Sequence, residues 1–144
     1  MALASAEKFG PLTALIDGER RWTYAEFGET VRGAIAAAIA LGIEKGDRVR
    51  LWGPNTSEWI FAALGILGAG GVLVPLNTRW SGDEIGYALD KTDVSALFVS
   101  QGFLGLDQVG QLRTAYPDRQ DPPGDWPADR VRRCPRRARD ARAA

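Results

Sequence analysis

One segment of the chain, residues 46–77, reads as a strand, an apolar helix and a second strand. The first strand is expected at 49–52, and the helix at about 56–69 has apolar residues on nearly every side, which is typical of a helix covered by other layers. The β-branched run at 72–74 is the second strand. Because parallel strands are joined by right-handed helical crossovers, this order predicts an α/β fold with a mostly parallel sheet and helices on both faces.

Helix start signals recur along the same part of the chain. A Ser, Thr or Asn followed three residues later by Glu forms a capping box, in which the two side chains satisfy backbone N–H groups that the helix leaves unpaired. Gly42 is the expected end of the first such helix. The candidate capping boxes are Thr23 with Glu26, Asn55 with Glu58, and Ser81 with Glu84.

Further elements are predicted on either side of this segment. The stretches at 13–16 and 21–23 flank Asp17-Gly18-Glu19, and an Asp-Gly pair favours the tight turn of a β-hairpin. A strand is expected at 96–99, and one more helix at 102–116. Residues 1–117 are therefore interpreted as one partial α/β domain.

The composition changes abruptly after Pro117. Residues 118–144 contain eight arginines and five aspartates but no leucine, isoleucine or phenylalanine, so they cannot bury enough apolar surface to offset the entropy of ordering. They are predicted to form a disordered tail. A sharper hypothesis is that the reading frame is lost near Pro117, because translation of a GC-rich gene out of frame produces such a mixture. Its arginine pairs would attract nucleic acid only non-specifically.

Composition excludes several classes of function. The chain has no histidine and one cysteine, Cys134, so a histidine base, a Cys/His zinc site and an internal disulfide are excluded. The formal net charge of zero argues against a general nucleic-acid or membrane-surface binder. No apolar run reaches the length of a membrane span and the N-terminus lacks a leader pattern, so the expected location is cytoplasmic.

The motifs resemble a known family. The segments 22–27 and 67–77 are similar to the first two core motifs of the AMP-dependent synthetases and ligases, the adenylate-forming superfamily. The resemblance is continuous over about residues 4–113. The ending Pro-Leu-Asn-Thr-Arg at 75–79 and the glycine-flanked turn at 102–105 are similar to the acyl-CoA synthetase branch, including its actinobacterial fatty-acyl and steroid-side-chain ligases.

The resemblance implies a reaction that uses ATP, Mg²⁺ and coenzyme A. The family activates a carboxylic acid as an acyl-adenylate and then transfers the acyl group to the thiol of coenzyme A. It performs this chemistry with a Ser/Thr/Gly-rich phosphate loop, an aromatic-Gly-x-Thr-Glu segment, a Thr-Gly-Asp segment and a C-terminal lysine. None of these strings occurs in the 144 residues. The expectation is an N-terminal fragment, inactive alone, with no catalytic residue and no bound cofactor or metal.

Two features could still suggest a ligand site. The glycines at 68–71 follow a helix and precede a strand, the reverse of a dinucleotide-binding turn, so a helix end is the favoured interpretation. Arg79 follows a predicted parallel strand at the sheet edge where α/β proteins bind ligands, and it could meet a phosphate or the coenzyme. A solvated loop arginine is the favoured alternative.

One residue conflicts with the predicted sheet. Arg50 interrupts a strand that should be apolar throughout, so either its charged group reaches a boundary or the strand lies near the sheet margin. The alternative to a ligase fragment is a non-catalytic α/β binding or interaction module. For a fragment, uncovered apolar surface predicts self-association.

Overall fold

The computed structural model describes residues 2–91, 95–100, 102–115 and 131–132. The chain divides into two compact units, the first formed by residues 1–46 and 54–73 and the second by residues 47–53 and 74–144. In chain order the helices and strands are α1 (Ala2–Phe9), β1 (Thr13–Asp17), β2 (Arg20–Thr23), α2 (Tyr24–Ala40), β3 (Arg48–Trp52), α3 (Ser57–Gly68), β4 (Val72–Leu76), α4 (Gly82–Lys91), β5 (Ala96–Val99), α5 (Gln108–Ala115) and β6 (Val131–Arg132).

The predicted β-hairpin is confirmed in the first unit. Strands β1 and β2 pair in antiparallel register, with Asp17 opposite Arg20 and Ile16 opposite Arg21. Gly18 in the turn has a φ of 59°, a left-handed conformation that costs a glycine little. The Asp-Gly pair therefore places Asp17 and Arg20 next to each other on the strands that leave the turn.

Helix α2 begins and ends where the sequence predicts. Thr23 accepts a hydrogen bond from the backbone N–H of Glu26, and the Glu26 carboxylate accepts one from the backbone N–H of Thr23, which completes the capping box. The backbone N–H of Leu41 closes the last helical bond, and Gly42 follows at the helix end.

Helices α2 and α3 pack side by side through small residues. Phe27 contacts Phe61 near the start of both helices, and Gly65 lies against the backbone of Ala34 further along, so the two helices run in the same direction. A Cβ atom added at Gly65 would lie 2.8 Å from the Ala34 carbonyl oxygen. The close approach therefore depends on a glycine at this position.

Two details of the first unit differ from the sequence prediction. The N-cap of α3 is Thr56, whose hydroxyl accepts from the backbone N–H of Trp59, so the predicted capping box of Asn55 with Glu58 is wrong by one residue. Helix α1 was not predicted. It packs on α2 with Ala6 against Gly28, and its alanine-rich sequence favours a helix.

The second unit contains β3, β5, β6 and residues 74–76 of β4, which belong to a four-stranded sheet in the order β4-β3-β5-β6. Strands β3 and β5 are parallel, with Val49 opposite Ala96 and Trp52 opposite Val99, which confirms the predicted α/β class with a parallel sheet. Strand β6 adds to the other edge of β5 in antiparallel direction. The apolar core of this unit is formed by Trp52, Leu76, Ile85, Leu97 and Val99, with Ala88, Val109 and Leu112 packed against it.

Both interpretations of Arg50 are wrong. Strand β3 lies between two neighbours rather than at the sheet margin, and Arg50 is only 4% exposed. Its Nη2 atom donates a hydrogen bond of 2.8 Å to the carbonyl oxygen of Ala88 in α4. The guanidinium is therefore held inside the unit, and burial lowers its pKa from the usual value of an arginine.

The remaining differences concern how elements end. Strand β4 continues through Pro75 to Leu76, as a proline can in an edge strand, whereas the sequence predicted a strand at 72–74 only. The predicted helix at 102–116 is a short 3-10 helix at Phe103–Gly105 followed by α5. Asp107 separates the two, because its carboxylate accepts from the backbone N–H of Gly110 in the manner of a helix cap.

Candidate functional site

Arg79 lies in the turn after β4 and is exposed to solvent. Its backbone N–H donates to the side-chain oxygen of Asn77 at 2.9 Å, which forms a local turn around the residue. Arg79 thus occupies the predicted position at the end of a strand. Its role toward a phosphate stays a prediction.

The ends of β3 and β5 meet closely at the same edge of the sheet. A Cβ atom added at Gly53 would lie 2.8 Å from the Cβ atom of Ser100, and the backbone N–H of Ser100 donates to the carbonyl oxygen of Trp52 at 2.9 Å. Residues that follow parallel strands at this edge are the usual ligand-binding positions of α/β sheets. In this chain, Gly53 and Ser100 instead bring the loops after β3 and β5 into close contact.

The loop after β5 is held by a buried glutamine. Gln108 is 3% exposed; its side-chain oxygen accepts from the N–H of Gly102, and its amide nitrogen donates to the carbonyl oxygen of Phe103, each at 2.9 Å. Between these anchors Leu104 has a φ of 58° and a side chain that is 67% exposed. A non-glycine residue in this conformation is strained.

The most extensive polar cluster lies in the first unit, where the β-hairpin meets the start of α3. Asp17 accepts hydrogen bonds from the backbone N–H of Ser57 at 2.8 Å and from its hydroxyl at 2.6 Å. Arg20 donates to Glu58 at 2.5 Å, to Asp17 at 3.0 Å and to the Ser57 hydroxyl at 2.9 Å. Four residues from three elements, β1, β2 and α3, thus form one hydrogen-bonded group.

The charges in this cluster stabilise one another. The hydrogen bond from Arg20 lowers the pKa of Glu58 to about 2, and the hydrogen bonds from Ser57 hold the pKa of Asp17 below its usual value. The Glu58 contact in turn raises the pKa of Arg20. All three groups therefore stay ionised near neutral pH.

These properties suit a structural role better than acid–base catalysis. A general base works best with a pKa near the operating pH, and both carboxylates are shifted the other way. Ser57 is only 1% exposed, and its hydroxyl donates a hydrogen bond to Asp17. The cluster fixes the hairpin on the first turn of α3, where negative charge is favourable at a helix N-terminus.

The glycine segment at 68–71 is confirmed as a helix end. The backbone N–H groups of Ala69, Gly70 and Gly71 close the last turn of α3 by donating to Gly65, Leu67 and Ile66 respectively. These donors are therefore used within the protein and are not presented to a phosphate.

The described part of the chain has neither a metal-ligating cluster nor a membrane-spanning helix. Residues 2–91, 95–100, 102–115 and 131–132 contain no cluster of three or more His, Cys, Asp or Glu side chains that could hold a metal ion. Within the same ranges, no helix is long and apolar enough to cross a membrane. Cys134 lies outside the described residues.

A family model described as AMP-binding enzyme matches residues 3–135, which is most of the chain. With the parallel sheet and the capped helices described above, this match defines the class of protein. The chain belongs to the family of AMP-binding enzymes. The match continues past Pro117, where the tail was predicted to begin.

The curated relatives that the chain resembles include acyl-CoA ligases. A 3-[(3aS,4S,7aS)-7a-methyl-1,5-dioxo-octahydro-1H-inden-4-yl]propanoyl:CoA ligase of Rhodococcus jostii (strain RHA1) is 43% identical over 109 residues, which cover 76% of this chain and 21% of the relative. The ligase of the same name from Mycobacterium tuberculosis (strain ATCC 25618 / H37Rv) is 47% identical over 106 residues, covering 73% and 21% respectively. The chain thus spans about one fifth of the length of these relatives.

Solved structures of the same class share the fold. The inhibitor-bound N-terminal domain of FACL13 from Mycobacterium tuberculosis matches with a TM-score of 0.70 and 28% identity over 85% of this chain and 30% of that domain. A benzoate CoA ligase from Burkholderia xenovorans LB400 matches with a TM-score of 0.70 and 27% identity, covering 81% of this chain and 23% of the ligase.

Proposed function

We propose that this chain is a scaffold region of an acyl-CoA ligase and has no ligase activity by itself. The proposal rests on the hydrogen bonds made by three carboxylates of the chain. The ionised carboxylates of Asp17, Glu26 and Glu58 are all engaged by backbone N–H groups or by Arg20 at helix starts. None of the family's phosphate-binding strings occurs in the sequence.

A ligase that contains this region would activate a carboxylic acid with ATP and Mg²⁺ and pass it to coenzyme A. We propose that ATP and Mg²⁺ bind outside this region. In support, the glycine segment at 68–71 ends a helix, and no metal-ligating cluster occurs within the described residues. Binding of both groups is therefore assigned to other parts of such a ligase. Arg79, exposed in the turn after β4, is a candidate for a weak phosphate contact.

For the acid, we propose a propanoic acid attached to a fused ring system. The support is the name shared by the two relatives that are 43% and 47% identical to the chain. A straight-chain fatty acid is the second candidate, supported by the 31% identity to a medium-chain acyl-CoA ligase, ACSF2, of Danio rerio.

The purified 144-residue chain tests the proposal directly. Pyrophosphate release is measured with ATP, Mg²⁺, coenzyme A and each candidate acid, and the full-length Mycobacterium tuberculosis relative serves as the positive control. We expect the chain to release no more pyrophosphate with an acid than without one, whereas the relative should show acid-dependent release. Acid-dependent release from the chain would contradict the proposal, provided that heat-unfolded chain gives none.

Exposed apolar side chains in the first unit allow the scaffold proposal to be distinguished from the interaction-module alternative. Ile39 in α2 is 57% exposed and Leu67 in α3 is 52% exposed. Such residues favour association when other layers do not cover them. Sedimentation and urea unfolding distinguish the alternatives: a scaffold region should self-associate, whereas a monomer that unfolds cooperatively would favour an independent binding module.

A further inference from the structure

Strand β5 is buried along its whole length. Its four residues, Ala96, Leu97, Phe98 and Val99, are at most 9% exposed. One edge of the strand pairs in parallel with β3 over all four positions. A strand of this kind, apolar and without charged residues, is prone to pair with any extended chain that reaches its free edge.

The chain covers the other edge of β5 with its own C-terminal segment. Val131 pairs with Phe98 and Arg132 pairs with Leu97, in antiparallel direction. Strand β6 is two residues long and reaches only the middle of β5. The strand that pairs with this edge of β5 thus belongs to a segment whose composition predicts no stable structure of its own.

The sequence around β6 is unsuited to further pairing. Prolines stand at 127 and 135, and arginines at 130 and 133 directly flank the strand. Proline removes a ladder donor, and charged residues on an outer strand discourage another chain from adding. In the sequence, the two residues of β6 thus stand within a stretch that is rich in arginine and proline.

We propose that the outer edge of β5 is a strand-acceptor site and that β6 occupies it in order to exclude a second copy of this chain. Without β6, two β5 edges could pair antiparallel about a two-fold axis, because such an interface uses the same surface of both copies. The proposal is independent of the scaffold function, since it concerns the sheet edge and not the ligase reaction.

Two substitutions in the full chain test this inference, Val131→Pro and Arg132→Pro. Alternate residues of an antiparallel strand donate toward a given neighbour, so at least one of the two variants removes a ladder hydrogen bond to β5. Ala138→Pro, in the same tail but outside β6, is the matched control. Amide hydrogen exchange of peptides covering β5 is measured for all four proteins at several concentrations.

At low concentration we expect exchange in β5 to be roughly tenfold faster in at least one β6 variant than in the native chain or the control. As concentration rises, the same variant should regain protection in β5 while its sedimenting mass increases beyond that of the control. Equal exchange in native, control and both β6 variants would overturn the proposal. Faster exchange that shows no dependence on concentration would also overturn it, because no second copy would then be entering the edge.

Discussion

The carboxylate of Asp17, at the end of strand β1, caps the first turn of helix α3 by binding both the backbone N–H and the hydroxyl of Ser57. The two residues are 40 positions apart in the chain. Helix α3 also has a local cap at Thr56, so its start is satisfied twice, once from the adjacent residue and once from the hairpin. The second cap joins the hairpin to the helix.

Replacing Asp17 should therefore weaken both elements together. We expect Asp17→Ala to lower the midpoint of thermal unfolding by a few degrees, because the backbone N–H of Ser57 loses its acceptor in a part-buried site, while the hydroxyl keeps only the longer contact with Glu58. Glu19→Ala, in the same turn and exposed, is the matched control. Circular dichroism melts of the two variants check the prediction, and equal midpoints would contradict it.

Acid should loosen the same junction. The pKa of Glu58 is about 2 in the folded chain, below the usual 4.5, so its contribution to stability is full above the higher value and is lost as pH falls toward the lower one. The lowered pKa of Asp17 acts in the same direction. We expect the free energy of unfolding to fall as pH is lowered from about 5 to about 3.

Arg20→Met should make that fall shallower, because Arg20 is the main cause of the Glu58 shift. Arg21→Met is the control, since Arg21 is exposed in the same strand. Urea unfolding at several pH values provides the measurement. The effect should shrink in high salt, because half of each side chain in the Arg20–Glu58 pair is exposed. Identical pH profiles for the Arg20 variant and the native chain would contradict this assignment.

Local signals predicted the elements, but not the contacts between distant ones. The capping boxes at Thr23 and Ser81 are confirmed by hydrogen bonds with Glu26 and Glu84. They could be predicted from the sequence because each joins residues only three positions apart. The Asp17–Ser57 cap joins a hairpin to a helix and has no local signature. An aspartate before a glycine is explained fully by the turn, so its second role was not visible in the sequence.

Arg50 is a residue that the sequence marked as unusual without showing what binds it. An arginine within an apolar strand was correctly recognised as unusual, yet the sequence could not show that Ala88 offers its carbonyl oxygen to the guanidinium. That acceptor is set by how α4 packs on the sheet. Gln108 is similar, since nothing in its local sequence distinguishes a buried loop anchor from a surface glutamine.

The contact of α2 with α3 predicts opposite effects for two glycines. Gly65→Ala should destabilise the chain by about 1–3 kcal/mol, because its new methyl group would meet the rigid backbone of Ala34. Gly33→Ala, on the exposed side of α2 with no atom within 4 Å of an added Cβ, should stabilise it by about 0.5–1 kcal/mol through helix propensity. Urea unfolding of both variants gives the comparison, and the same sign for both would contradict the packing described.

The strained turn after β5 offers a final test. Leu104 adopts a left-handed conformation while most of its side chain is exposed, so it contributes strain and little burial. Asparagine tolerates this conformation better, and we expect Leu104→Asn to stabilise the chain by about 0.5–1 kcal/mol. Leu106, which is 42% exposed with an ordinary φ of −91°, is the matched position, and Leu106→Asn should give no gain. If urea unfolding shows Leu104→Asn to be as unfavourable as Leu106→Asn, the leucine is held in this turn by contacts that outweigh its strain.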